Sequence, residues 1–172
     1  NGIDGTEPWK SDGTSSGTSL IRDIRKSPKS SNPSELVNFN GTLFFVANNS
    51  ITANANHELW KSNGTSAGTT LVKDLLSGGS SMPKHLTQVN NTLFFSADDG
   101  INGVELFKSD GTSAGTGKLK EITGDYFGSD PDYFINLNGT LFFIANDIIH
   151  GIELWKSNGT AAGTVLVKDI WP

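Results

Sequence analysis

The chain has 172 residues, enough for one domain with a sizeable core, although only 35% of them are apolar. A net charge of −5, with 13 Lys and Arg scattered and no basic run, excludes a nucleic-acid surface. The absence of cysteine excludes disulfides, thiolate metal sites and thiol nucleophiles, and no apolar run is long enough for a membrane span.

The first element follows Glu7. The string Glu7-Pro8-Trp9-Lys10-Ser11-Asp12-Gly13-Thr14 is written again from Glu58 to Thr65, from Glu105 to Thr112 and from Glu153 to Thr160. Its leading Glu recurs at spacings of 51, 47 and 48 residues, a period that signals a repeat architecture. Residues 1–24 hold only the second half of a unit, a third strand and a fourth that ends in Arg22-Asp23. The chain opens at Asn1 in mid-repeat, without an initiator Met or signal peptide, and reads as a piece of a longer protein.

Residues 25–75, 76–122 and 123–172 each hold a full unit. In the middle one, strands are predicted over His85–Val89, Thr92–Ala97, Val104–Ser109 and Lys118–Ile122. Asn90-Asn91 joins the first two, with Asn40-Gly41 and Asn138-Gly139 as its equivalents, a dipeptide suited to positive φ. The same chemistry is expected between the third and fourth strands at Asn63-Gly64, Asp110-Gly111 and Asn158-Gly159. The second strand is apolar throughout (Leu43–Val46, Leu93–Phe95, Leu141–Ile144) and asks for burial on both faces. Each fourth strand ends in a charged pair, read as solvated. The links between units carry Ser30 to Pro33, Ser80 to Pro83 and Gly128 to Pro131. Four-stranded meanders joined by long outer-to-inner links predict an all-β β-propeller of ~48-residue blades, three complete and one half. A β-trefoil is the competing architecture and would leave residues 1–24 surplus.

The Glu-Leu-Trp-x-x-Asp-Gly-Thr string, followed by Gly-Thr and by a Gly-Thr-Leu-Phe-Phe strand, resembles the ELWxxDGT tandem-repeat family. That resemblance covers essentially the whole chain and implies a bacterial, exported protein, with no single activity attached. Pro8, Phe107, Asn63 and Asn158 depart from the pattern, tolerably for a motif of turns and packing.

Glu7, Glu58, Glu105 and Glu153 share one register and are read as turn-capping or inter-blade partners, since catalysis needs an asymmetric constellation. Trp9, Trp60, Phe107 and Trp155 are read as packing wedges, with sugar stacking as the alternative. The Asp/Asn-Gly-Thr turns read as turn formers and not as calcium sites. His57, His85 and His150 occupy different registers, which argues against zinc.

Function is sought where the units differ. The polar loop from Ala47 to Asn56 is one such place. The link from Asp125 to Tyr133 is the other; Asp125, Tyr126, Asp130, Asp132 and Tyr133 are its candidate contact residues, with Trp171 outside the motif. The expectation is a non-enzymatic module of the cell surface or extracellular space, serving adhesion, protein–protein interaction or assembly. It needs no cofactor, and further repeats of a parent chain or a partner subunit would complete the half blade. A glycan-binding lectin, calcium-assisted through the same acids, is the alternative, and an enzyme with a central-channel site is a third.

Overall fold

The computed structural model describes residues 5–26, 28–52, 54–124 and 126–170. No helix occurs among them; every regular element is an antiparallel strand. The chain divides into two compact units, Asn1–Met82 and Pro83–Pro172.

In the first unit, β1 (Trp9–Lys10) and β2 (Ser19–Leu20) form a two-stranded ladder that sets Trp9 opposite Leu20. A four-stranded meander follows: β3 (Ser34–Phe39), β4 (Thr42–Asn48), β5 (His57–Ser62) and β6 (Thr70–Lys73). Phe45, Ala47 and Trp60 are its buried cluster, with Ile24, Leu43 and Leu71 packed on them. Phe39 meets Phe44 edge-on, at 5.3 Å between ring centroids.

The second unit holds two such meanders. One is β7 (Lys84–Val89), β8 (Thr92–Asp98), β9 (Val104–Ser109) and β10 (Gly117–Lys120). The other is β11 (Asp132–Leu137), β12 (Thr140–Asn146), β13 (Ile152–Ser157) and β14 (Val165–Lys168). Val89, Phe94, Leu106 and Leu119 of the first sheet pack on Leu141, Phe143, Ala145 and Trp155 of the second. Every central strand pairs on both sides. The second and third strands of each sheet face one another in continuous register, such as Phe95 opposite Phe107 and Phe143 opposite Trp155, while each outer pairing carries a register shift.

The turns between β3 and β4 and between β11 and β12 form as their dipeptides demand. Asn40 and Gly41 hold φ of 50° and 81°, and Asn138 and Gly139 hold 51° and 81°. The turn before the fourth strand does not. Gly64, Gly111 and Gly159 have positive φ, but the preceding Asn63, Asp110 and Asn158 do not, so these are longer loops and not two-residue hairpins. Each is tied across its base by two hydroxyls: Ser62 with Thr69, Ser109 with Thr116, and Ser157 with Thr164, at 2.6–2.8 Å.

The fourth strand of the middle sheet also stops earlier than the pattern suggests. It ends at Lys120 because the Ile122 N–H donates to the Glu105 carboxylate at 3.3 Å and not to a neighbouring strand. The charged pairs are not simply solvated either. Arg22 donates to the Thr69 carbonyl at 2.5 Å, and Lys120 to the Thr164 carbonyl at 2.6 Å.

Burial on both faces holds for β4 and β8, from Phe44 to Ala47 and from Leu93 to Ala97. It fails for β12, where Leu141, Phe143 and Ala145 are buried while Phe142 and Ile144 are half-buried. One face of the last sheet therefore lies open. Truncating Phe94 to Ala should lower the unfolding free energy by about 3–5 kcal/mol, as for any fully enclosed aromatic. The same change at its repeat equivalent Phe142 should cost roughly half as much or less. Urea titration of both variants checks this, and equal losses would mean that the β12 face is covered.

Candidate functional site

The motif glutamates stand at the start of the third strand, where the alternation of β5, β9 and β13 turns them inward. All four are buried. The Glu58 carboxylate accepts the Ser81 N–H at 3.0 Å, the Ser81 hydroxyl at 2.6 Å and the Leu75 N–H at 3.2 Å. Glu7 repeats the arrangement with Ile24 and Ser31, and Glu105 with Ile122, Thr123 and Ser129. Each carboxylate thus fixes the exit of a fourth strand and the serine of the following link together. Burial and these bonds together keep the carboxylates from solvent and from a substrate. Two of the motif lysines turn to a carbonyl instead: Lys10 donates to the Gly64 carbonyl at 2.9 Å and Lys108 to the Gly159 carbonyl at 2.8 Å.

Burial pushes the Glu58 and Glu105 carboxyls above their ordinary range, and the donated hydrogen bonds counter that only in part. A carboxyl whose folded pKa is raised stabilises fully below its unfolded value, and that contribution is lost as pH rises through the folded value.

The Asp/Asn-Gly-Thr loops are closed from within. Asp12 and Asp110 accept the N–H and hydroxyl of Thr14 and Thr112 through one oxygen, and both acids are lowered by these bonds. Asn63 and Asn158 make the same pair of bonds with their amide oxygen. The interchange of Asp and Asn therefore keeps the turn intact, because the turn uses only an acceptor. Trp60, Phe107 and Trp155 are buried wedges, whereas Trp9 is half exposed.

The divergent link is where exposed chemistry collects. Tyr126 and Phe127 are 86% and 83% exposed, and Tyr133 is exposed as well. Gly128 bridges to Val104 at the start of β9, so the link lies against the 99–103 loop and its exposed Ile101. That approach requires glycine on both sides. A Cβ on Gly128 would lie 2.5 Å from Val104 N, and one on Gly103 2.8 Å from the Phe127 carbonyl carbon, with both residues at positive φ. Lys118 braces the loop through Asp99 at 3.2 Å and Glu121 at 2.9 Å.

The acids of this link are less available than its aromatics. Asp132 lies 3.2 Å from His85 Nε2 and accepts the Tyr133 N–H at 2.6 Å. The Asp130 N–H is bound by the Val104 carbonyl, and its left-handed backbone is shared with Asn32 and Met82 of the other links. Tyr133 likewise shares positive φ with Glu35 and His85 at the bulge of each first strand. Asp132 and Tyr133 accordingly belong to β11 and not to the link itself. Asp125 and Trp171 lie outside the described residues.

The other divergent segment, the 47–56 loop, borders a hollow of about 390 Å³ lined by Asn49, Ser50, Asn54 and Asn56. Arg25 holds its shape by donating to the Ser50 and Thr52 carbonyls. His57, His85 and His150 stay apart in sequence register, and His150 pairs with Asp147 at 2.7 Å. Among the described residues, no three His, Asp or Glu stand together as a metal set. Exposed isoleucines on the loops between second and third strands (Ile51, Ile101, Ile149) were not singled out by sequence reasoning. The only signal for them is an apolar residue inside an otherwise polar turn.

Glu105→Gln should be less stable than the wild type by about 1–3 kcal/mol in denaturant titration at acid pH, where the wild-type carboxyl is protonated. The gap should narrow as pH rises past the ordinary carboxylate range, because ionisation in the buried site costs the wild type alone. A gap that widens with pH would contradict the burial argument.

Comparison of the chain with protein-family models, curated proteins and solved structures yields no match.

Proposed function

We propose that the chain is a non-enzymatic β-propeller repeat module that binds a macromolecular partner through the rim formed by the 126–131 link and the 99–103 loop. Three meanders of like order, joined by long links and preceded by a two-stranded remnant, support the propeller reading over a trefoil. In this reading residues 1–24 are half a blade, and 25–75, 76–122 and 123–172 are whole ones. The repeated motif and the build of the sheets also support the resemblance to the ELWxxDGT repeats, with the exported, surface-exposed setting that this implies.

The single observation that carries the function is the contrast between motif and rim. Glu7, Glu58 and Glu105 are buried and bonded to donors of their own sheet and link, whereas Tyr126, Phe127 and Ile101 offer apolar area to solvent on a glycine-fixed rim. Exposed aromatics on a rigid rim are the composition of a contact surface, where a few such side chains supply most of the binding energy. Adhesion or assembly therefore fits better than chemistry. The tyrosines also leave a glycan as the alternative partner.

Beads coated with the chain should adhere to protein-coated or glycan-coated surfaces, and the double variant Tyr126→Ala, Phe127→Ala should lose about tenfold or more of that adhesion. Equal adhesion by both would refute the rim. Binding confined to one glycan class and abolished by a chelator would favour the calcium-assisted lectin.

A further inference from the structure

The loop between β4 and β5 holds a shape that the fold itself does not need. Ala47 to Glu58 spans eleven residue steps, where Ala97 to Glu105 and Ala145 to Glu153 close the equivalent strands in eight. The longer course is tied at its base. The buried Asn48 accepts the Ser50 and Asn56 N–H groups through one side-chain oxygen, at 2.9 and 3.1 Å, and the Asn49 N–H donates to the Asn56 carbonyl at 3.1 Å. It is also held from the preceding link. Arg25 donates to the Ser50 and Thr52 carbonyls at 2.9 and 3.0 Å, and Lys29 to the Ile51 carbonyl at 3.0 Å. At the position of Arg25 the other two links have Leu76 and Thr123, so neither has an arginine to offer there.

These bonds frame the hollow of about 390 Å³, a volume in the range of small-ligand sites, about 300–1,000 Å³. The described residues around it carry no ionisable side chain, which disfavours a divalent cation or an anionic group as its occupant. The carboxamides of Asn49 and Asn54 each set a donor beside an acceptor. The Ser50 and Thr52 hydroxyls bond to each other at 2.9 Å and keep lone pairs to spare. Ile51, 90% exposed, and Ala55 add an apolar edge. Gly78 of the following link has nothing within 4 Å of its Cβ position, so the space beside it stays open. Paired donors and acceptors beside a small apolar edge match a ring that carries neighbouring hydroxyls on one side and C–H groups on the other.

We infer that this hollow binds one neutral pyranose unit of a glycan. Asn49 and Asn54 take adjacent hydroxyls, and Ile51 lies against the C–H face of the ring. Arg25 and Lys29 touch no sugar; they fix the loop backbone in advance, which lowers the entropy lost on binding. The site shares no residue with the 126–131 link or the 99–103 loop and does not rest on the rim reading.

Saturation-transfer NMR of the full chain reads the result, with methyl glycosides of glucose, galactose, mannose and N-acetylglucosamine and, as the acidic member, methyl glucuronide. At least one neutral sugar should receive saturation and titrate with a Kd on the order of 1 mM, with or without EDTA. The double variant Asn49→Ala, Asn54→Ala, altered only in loop side chains, should keep the wild-type circular dichroism and weaken binding about tenfold or more. Arg25→Leu, which installs the residue of the next link, should weaken it as well by releasing the loop. Saturation of none of the sugars, binding only of the glucuronide, loss of binding in EDTA, or equal binding by the double asparagine variant would overturn the inference. Binding kept by that variant and lost in Tyr126→Ala, Phe127→Ala would place the sugar on the rim instead. Failure of rim adhesion with sugar binding intact would count against the rim alone.

Discussion

A buried carboxylate that collects donors from its own strand's neighbours organises every described link between repeats. Glu7, Glu58 and Glu105 each hold a backbone N–H from the exit of a fourth strand and the hydroxyl of a serine some two dozen residues ahead. Without such an acceptor these part-buried N–H groups would lack a ladder partner, at up to about 1–3 kcal/mol apiece. The course of the links and the early end of β10 follow from that one group. The motif is repeated because each link needs its anchor.

Such uniformity has a functional consequence. A residue spent on identical work in each repeat cannot distinguish one partner from another, so selectivity must come from what the repeats do not share. The anchored link gives its divergent side chains a rigid base. Gly103 and Gly128 bring two backbones into contact, and the aromatics beside them are held outward on a surface that does not collapse onto the sheet. Rigidity of this kind lowers the entropy lost on binding. A scaffold anchored in this way can therefore vary a link without disturbing its sheets.

Most strands were legible in the sequence because two local signals agree, the apolar second strand and the Asn-Gly turn. The third strand of the middle sheet begins and ends where the pattern puts it, at Val104 and Ser109. Turn chemistry before the fourth strand misled because Asn63-Gly64 looks like a hairpin dipeptide; the Ser62–Thr69 hydroxyl pair that widens the loop is a contact over seven residues. The role of Glu as an anchor was readable from its recurrence, but its partners were not, since they lie 17 to 24 residues away. Nor could the sequence separate Phe94 from Phe142, identical in motif and different in burial, because exposure there depends on which sheet has a neighbour. At the rim, the aromatics were legible as outliers. The pairing of Asp132 with His85, which draws one acid away from ligand binding, was not.

The central claim is that the motif carboxylate anchors the link, and amide hydrogen exchange tests it most directly. Leu75, Ser81 and Ile122 lie outside the strands, yet their N–H groups point at or beside a buried carboxylate. Residue-resolved exchange should find the Leu75, Ser81 and Ile122 amides protected to the level of their central strands, with free energies of opening near the global value. Exchange of these amides at the rate of the exposed loop residues would contradict the account.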